Sequence, residues 1–305
     1  MCKICNLICS DTGRVRNQYV ESVIDATELD CCQWLSAVPD FLTNLEIIRC
    51  VNSRISSVPS TLISLREIYC GSSSITTLPN SLKSLRILNA YQSRIFVLPE
   101  DMPLLENLIL DFSPIRQLSK NMPNLKILSI NNTGIISLPI MPMLEYFYCN
   151  NTNVSELPVG SNGLKKIECS NSKIKCVPDV LSKLESLKCK NTMINSVASK
   201  HLKTLYSNSR IKYVSDSIRD LHCKSCEVNY LPNLRWLISN NLVISKKLIF
   251  YGLNESCVNV VEICSQYKRF VVIARALGEC PQDVSRYYFY IFRTSRRLKY
   301  QRMLN

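Results

Sequence analysis

What most constrains this chain is a register that recurs about every 20 residues. One unit runs Leu65, Ile68, Cys70, Ser73, Ile75, Leu78 and Pro79, and twenty residues later the frame returns as Leu85, Leu88, Ala90, Ser93, Ile95, Leu98 and Pro99. The next sets open at Leu105, Leu125, Leu144, Leu164 and Leu184, and upstream Leu45, Ile48, Cys50, Ser53, Ile55, Val58 and Pro59 occupy the same positions. Downstream the unit shortens to 16–18 residues, opening near Leu202, Ile218 and Leu234. Eleven units span about 45–245, and a half-unit, Leu35 with Val38-Pro39, precedes them. A fixed period in this range signals stacked supersecondary units.

The spacing carries its own physics. In L-x-x-L-x-(C/L) the second leucine and the last residue are two apart, so both face one side of a short strand, while the residues between them face the other. The later isoleucine and the Leu-Pro pair return the chain to the interior, with proline setting φ and ending strand pairing. Each unit offers about five or six apolar side chains worth roughly 1.5–3 kcal/mol apiece when buried. Ordering each residue costs about 1–2 kcal/mol, so a single unit cannot fold alone and must stack on neighbours.

This pattern resembles the leucine-rich-repeat family, in the short Leu-Pro form of bacterial effectors and large DNA viruses. The resemblance implies an α/β solenoid: a horseshoe with a parallel β-sheet on its concave face, an irregular convex side and helical caps at the ends. It also implies protein recognition on the concave face. One departure is that the usual asparagine after the strand is replaced by a hydroxyl residue in eight consecutive units, Ser53, Ser73, Ser93, Ser113, Thr133, Thr152, Ser172 and Thr192. A hydroxyl can bond a neighbouring backbone group, so a structural Ser/Thr ladder is expected.

Three regions follow: an N-terminal cap at 1–34, the repeat solenoid at 35–245 and a helical, basic C-terminal cap or small domain at 246–305. Within the first, Gly13 to Asp25 suits a short capping helix. Within the last, Val258 to Leu277 has helical apolar spacing and Asp283 to Leu304 forms a second helical segment with a basic tip. No run approaches the roughly 18 apolar residues needed to span a bilayer, and the N-terminal apolar run is too short for a secretory signal. The chain thus reads as intracellular. Its 16 cysteines recur largely at one interior position of the repeat, where they read as small buried hydrophobes rather than a disulfide framework. The sequons at Asn131, Asn150, Asn153 and Asn254 are then incidental.

No catalytic, metal or cofactor site is expected. Cys2, Cys5 and Cys9, with Cys31-Cys32, are the best candidate zinc thiolates, but the paired C-x-x-C spacing of a structural site is absent. Cys223 and Cys226 fall on interior columns. His222 adjoins Cys223, but neighbouring strand residues face opposite ways, so they cannot serve as base and nucleophile. Effectors with similar repeats can carry a C-terminal ubiquitin ligase, but about 60 residues after the repeats, including Cys280-Pro281, are too few for it.

The net charge of +13 divides as −3 over 1–44, +9 over the repeats and +7 over 246–305. The outward strand positions mix both signs and interleave aromatics, which suits a protein ligand of unstated identity. The expected binding residues are Arg66, Tyr69, Arg86, Lys126, Tyr146, Tyr148, Lys166, Lys188, Tyr206, Arg219, His222 and Trp236. The alternative is an assembly component whose basic segment, Arg286, Arg293, Arg296, Arg297, Lys299 and Arg302, docks on nucleic acid or an acidic partner.

Overall fold

The structure is a computed structural model that describes residues 24–33, 35–197, 199–208, 210–211, 218, 220–228, 236–244 and 270–272. The expected caps at 13–23 and over most of 246–305 lie outside these residues. The chain divides into two compact units, Met1–Leu164 and Lys165–Asn305.

Among its described residues the first unit holds seven strands of three residues each: β1 (Glu28–Asp30), β2 (Ile47–Arg49), β3 (Glu67–Tyr69), β4 (Ile87–Asn89), β5 (Asn107–Ile109), β6 (Ile127–Ser129) and β7 (Tyr146–Tyr148). Each pairs in parallel with the next. The register places Ile47 opposite Glu67, Glu67 opposite Ile87, Ile87 opposite Asn107 and Ile127 opposite Tyr146. Every residue therefore stacks on its equivalent in the adjacent repeat. β1 pairs with β2 in the same sense, so a strand already lies upstream of the half-unit at Leu35.

The leucine frame forms the core because stacking superposes its columns. Leu45, Leu65, Leu85, Leu105, Leu125 and Leu144 make one fully buried row. Ile48, Ile68, Leu88, Leu108, Leu128 and Phe147 make a second, and Ile55, Ile75, Ile95, Ile115, Ile135 and Val154 a third. The strand-end column holds Cys50, Cys70, Ala90, Leu110, Ile130 and Cys149, all at 0% exposure. Sizes compensate across a repeat. Where Phe147 enlarges one column, Cys149 and Val154 shrink two others, which keeps the cross-section filled as close packing requires.

Beyond each strand the chain turns at a residue in the left-handed region: Asn52, Ser72, Gln92, Phe112, Asn132 and Asn151, with φ between 54° and 58°. Asparagine tolerates this conformation better than most residues, and it fills three of the six places. The bend keeps the ladder running, since the N–H groups of Asn52, Gln92 and Phe112 donate to the carbonyls of Gly71, Asp111 and Asn131 at 2.7–2.9 Å. The hydroxyl residue follows at once. Ser53, Ser113, Thr133 and Thr152 are buried, and each donates to the carbonyl three residues back at 2.6–2.7 Å. The Ser/Thr ladder thus closes the turn.

The second unit continues the pattern with β8 (Lys166–Glu168), β9 (Ser186–Lys188) and β10 (Thr204–Tyr206). β11 (Arg210–Ile211), β12 (Asp220–Val228), β13 (Trp236–Ile244) and β14 (Phe270–Val272) follow. Ser186 lies opposite Thr204, Thr204 opposite Asp220 and Asp220 opposite Trp236. Strand pairing is therefore kept through the shortened units. The left-handed bend recurs at Asn171 and Asn191, and Leu184, Leu187, Cys189 and Ile194 are buried.

One expectation is corrected. Where spacing predicts a helix over 258–277, Phe270–Val272 form β14, antiparallel to β13, with Leu237 opposite Val272. Phe270, Val271 and Val272 are consecutive aromatic and β-branched residues that favour extended backbone. As a strand they cover the β13 edge, whose ladder groups would otherwise lie open. Among the described residues there is no helix, and hence none long and apolar enough to cross a membrane.

Burial makes the cysteine columns inert. It pushes the Cys50 and Cys189 thiols up to about 11, against weaker opposing hydrogen bonds from Ser53 and, for Cys189, from Ser207 and Thr192. It drives Cys70 and Cys149 in the same direction. Since the thiolate is the reactive form, iodoacetamide at about pH 8 will modify exposed Cys176 in the native protein. It will leave Cys50, Cys70, Cys149 and Cys189 untouched until urea is added. Peptide mapping reads this out, and native labelling of Cys70 would contradict the packing.

Candidate recognition face of the sheets

Each of β1–β10 buries its middle residue and turns its first and third toward the other side, where Ser129 of β6 alone is buried, and the residue before the strand also lies on that side. In the first unit these positions form a grid. The pre-strand column reads Glu46, Arg66, Arg86, Glu106, Lys126 and Glu145, the first strand column Ile47, Glu67, Ile87, Asn107, Ile127 and Tyr146, and the third Arg49, Tyr69, Asn89, Ile109, Ser129 and Tyr148. Neighbouring strands are about 4.8 Å apart, so these side chains touch across rows.

The charges of the grid pair with one another. Glu106 receives Arg86 at 2.9 Å and Lys126 at 2.6 Å, Glu46 receives Arg66 at 3.5 Å, and Arg49 reaches Glu28 at 2.8 Å and Asp30 at 3.4 Å. The Tyr69 hydroxyl donates to Glu67 at 2.9 Å; burial, then this contact, raises its pKa. Such exposed pairs, screened by solvent, contribute little to stability. Their effect is to hold the long side chains along one column and leave the middle of the grid uncharged.

In that middle the residue spacing disclosed Tyr146 and Tyr148 but not the isoleucines. Ile87, Ile109, Ile127, Tyr146 and Tyr148 stand half-buried on the solvent side of β4–β7. In register they alternate with two short polar residues, Asn107 between Ile87 and Ile127 and Ser129 between Ile109 and Tyr148. A polar rim borders the set, where the Asp111 carboxylate accepts from Ser129 Oγ at 2.7 and 2.9 Å and from the Asn131 N–H at 2.6 Å. Asn131 Oδ1 in turn accepts from the Asn150 N–H at 2.7 Å and from its side-chain amide at 2.8 Å.

In the second unit, Lys165, Lys166 and Glu168 form the outward row of β8, Glu185, Ser186 and Lys188 that of β9, and Lys203, Thr204 and Tyr206 that of β10. Glu168 Oε1 lies 3.0 Å from Lys166 and 2.9 Å from Lys188, whose ammonium also sits 5.9 Å from the Tyr206 ring centre.

No family model matches the sequence, and no curated protein matches it. Solved structures do match. An internalin from Listeria monocytogenes aligns with a TM-score of 0.56 and 18% identity, over 81% of this chain and 88% of its own. YopM, a leucine-rich effector protein from Yersinia pestis, aligns with a TM-score of 0.56 and 17% identity, over 80% and 85%. With the stacked parallel strands and buried leucine columns, this decides the architecture.

The chain has a leucine-rich-repeat fold.

On these leucine-rich repeats, nine of the twelve expected binding residues stand in the outward grids: Arg66, Tyr69, Arg86, Lys126, Tyr146, Tyr148, Lys166, Lys188 and Tyr206. They fall into two sets, six in the first unit and three in the second. His222 and Trp236 lie on β12 and β13, His222 in register with Tyr206 and Trp236 in register with Asp220. Arg219 and the basic residues Arg286, Arg293, Arg296, Arg297, Lys299 and Arg302 lie outside the described residues, as do Cys2, Cys5 and Cys9. Among the described residues, no cluster of three or more His, Cys, Asp or Glu could hold a metal ion.

The paired glutamates of the leucine-rich repeats give the stability a pH dependence. Lys126 hydrogen-bonded to Glu106 and Lys203 to Glu185 hold those carboxyls below their ordinary value of 4.5, outweighing burial. At Glu168 burial works upward, but the bonds from Lys188 and Lys166 outweigh it and the net shift is down. Lowered native values mean that stability is fully present above the unfolded pKa and is lost as pH falls through the native ones. The urea midpoint should therefore drop between about pH 6 and about pH 3, by less at high salt because exposed pairs are screened. A midpoint indifferent to pH over that range would show that the pairs contribute nothing.

Proposed function

We propose that this protein is a non-catalytic, intracellular recognition scaffold whose outward strand faces bind a protein ligand. The observation that carries this reading is the half-buried set Ile87, Ile109, Ile127, Tyr146 and Tyr148 on the solvent side of the adjacent strands β4–β7. Solvent-facing apolar groups in a rigid, close-spaced array, rimmed by paired charges and amides, have the composition of an interface centre with its polar border. A sheet face suits this role because its backbone is fixed by the stack, so little ordering cost accompanies binding. The unpaired thiols of Cys50, Cys70, Cys149 and Cys189 fit a reducing compartment. YopM, one of the structural neighbours, is an effector protein, and a host-directed adaptor role fits the same surface.

Affinity capture from the native source tests the reading. The triple variant Ile87→Ser, Ile127→Ser, Tyr146→Ala should lose its partner, since truncated interface anchors cost about 2–4 kcal/mol each, at least thirtyfold in affinity. The control Ile136→Ser, Ile140→Ser, changed at two highly exposed loop residues (62% and 65%), should retain it. Retention by the triple variant, with loss in the control, would place recognition on the loops instead.

A further inference from the structure

The outward grids of the two units differ in kind. On the pre-strand, first and third positions of β1–β7, six acids (Glu28, Asp30, Glu46, Glu67, Glu106, Glu145) stand against four bases (Arg49, Arg66, Arg86, Lys126), with isoleucines at the centre. The nine outward positions of β8–β10 hold four lysines against two glutamates, with Ser186, Thr204 and Tyr206 and no aliphatic side chain. Taken by itself, the second grid is polar and positive.

Its charges are layered. The Glu168 side chain is only 17% exposed, whereas the Lys166 and Lys188 side chains that meet it are 32% and 43% exposed. The carboxylate thus lies beneath and the two ammoniums lie above it. Because both contact the same oxygen, at 3.0 and 2.9 Å, they can be no more than about 5.9 Å apart. Two cations gathered on one anion leave a positive charge on the exposed side. Lys188 is also steered by the Tyr206 ring, 5.9 Å away, so the pair is anchored from two sides. One row further, Lys203 meets Glu185 at 2.9 Å.

We propose that the outward face of β8–β10 binds an acidic segment of a protein partner, with Lys166 and Lys188 as the site for a ligand carboxylate. The inference rests on the reading of the outward faces as recognition surfaces and names the chemistry of the second one. Lysine suits this task, being a flexible point charge with three donors that can turn from Glu168 to share an incoming carboxylate. An extended acidic segment places alternate side chains on one side about 6.6–6.8 Å apart, more than the ceiling of about 5.9 Å between the two ammoniums, so the pair receives one carboxylate of such a segment. A phosphodiester backbone is a poorer fit, since it presents a continuous line of charge and calls for an unbroken basic stripe. Here Glu168 and Glu185 interrupt the stripe.

The test uses the full chain and fluorescence anisotropy with labelled probes at about 50 mM salt, where surface charges are weakly screened. A short peptide of alternating Glu and Ser should bind saturably, and one of alternating Lys and Ser should not. The double variant Lys166→Glu, Lys188→Glu should weaken the acidic peptide at least tenfold, and the milder Lys166→Gln, Lys188→Gln, which keeps the fold, should weaken it several-fold. Reversal of two lysines of the first unit, Lys83→Glu with Lys120→Glu, should leave binding within twofold. No binding of the acidic peptide would overturn the proposal. So would equal loss in the Lys83/Lys120 control, which would reduce the effect to net charge. Tighter binding of an oligothymidylate of equal charge, lost in the same Lys166/Lys188 variants, would replace the acidic protein segment with a phosphate ligand. If the peptide fails while partner capture still depends on Ile87 and Ile127, only this inference falls.

Discussion

Replacing Phe147 with alanine will destabilise the first unit by about 3–5 kcal/mol, the usual cost of emptying a fully buried aromatic position. Phe147 heads the fully buried side chains by volume, at 0% exposure, and stands in the column of Ile48, Ile68, Leu88, Leu108 and Leu128. The neighbours in its own repeat, Cys149 and Val154, are themselves small and cannot close the void. In a stacked array each repeat is stabilised chiefly by its nearest neighbours, so the loss falls on the coupling of β7 to the strands before it. Urea titration followed by circular dichroism should show an earlier midpoint for Phe147→Ala than for Phe147→Leu, which restores most of the volume. A loss under about 1 kcal/mol would mean that the cross-section is not close-packed there.

Ser113→Ala will cost about 0.5–1.5 kcal/mol, although the change removes a single oxygen. Ser113 is 3% exposed, and its hydroxyl donates to the Leu110 carbonyl at 2.6 Å. That carbonyl also accepts the Ser113 backbone N–H at 3.1 Å, so it keeps one donor, and the cost is that of one buried hydroxyl hydrogen bond. Thr133→Val should behave likewise, because the Ile130 carbonyl loses its donor at nearly constant volume. Ser57→Ala, at an exposed position of the return loop, should change stability by no more than about 0.5 kcal/mol. Were Ser113→Ala as silent as Ser57→Ala, the hydroxyl column would have no structural task and would have to be explained by binding.

The scaffold was readable in the residues because its strongest signals are local. Leucines three apart, followed by a small or apolar residue two further on, specify a strand whose middle residue is buried, and Leu85, Leu88 and Ala90 behave so. The hydroxyl of Ser113 or Thr133 needs only a carbonyl three residues back, so its role follows from sequence neighbours alone. Shortened units near Leu202, Ile218 and Leu234 also survive translation into structure, since strands begin two residues after each.

The recognition face was less legible, because its contacts join residues about 20 apart. Glu106 is one acid among many until stacking sets it between Arg86 and Lys126. Ile87 and Ile127 are apolar residues beside the buried Leu88 and Leu128, and nothing in their type sets them apart from core. Yet adjacent strand residues face opposite ways, so one of each pair had to point outward, and that was the available signal. The left-handed bend was partly visible as Asn52, Asn132, Asn151, Asn171 and Asn191 recurring about 20 apart, but Phe112 in the same conformation hides it. Phe112 is half exposed, packs edge-on against Tyr91 at 5.6 Å and gives no sequence cue of its backbone state.

The central claim is that the outward strand faces carry recognition, and photo-crosslinking tests it most directly. A benzophenone amino acid placed singly at Ile87, Ile109 or Ile127, with Ile136, Ile140 and Val159 as loop-side positions, reports which surface a partner covers in the native source. The account predicts one crosslinked species of the same mass from the three strand positions and none from the three loop positions. Crosslinks confined to Ile136, Ile140 and Val159 would contradict it.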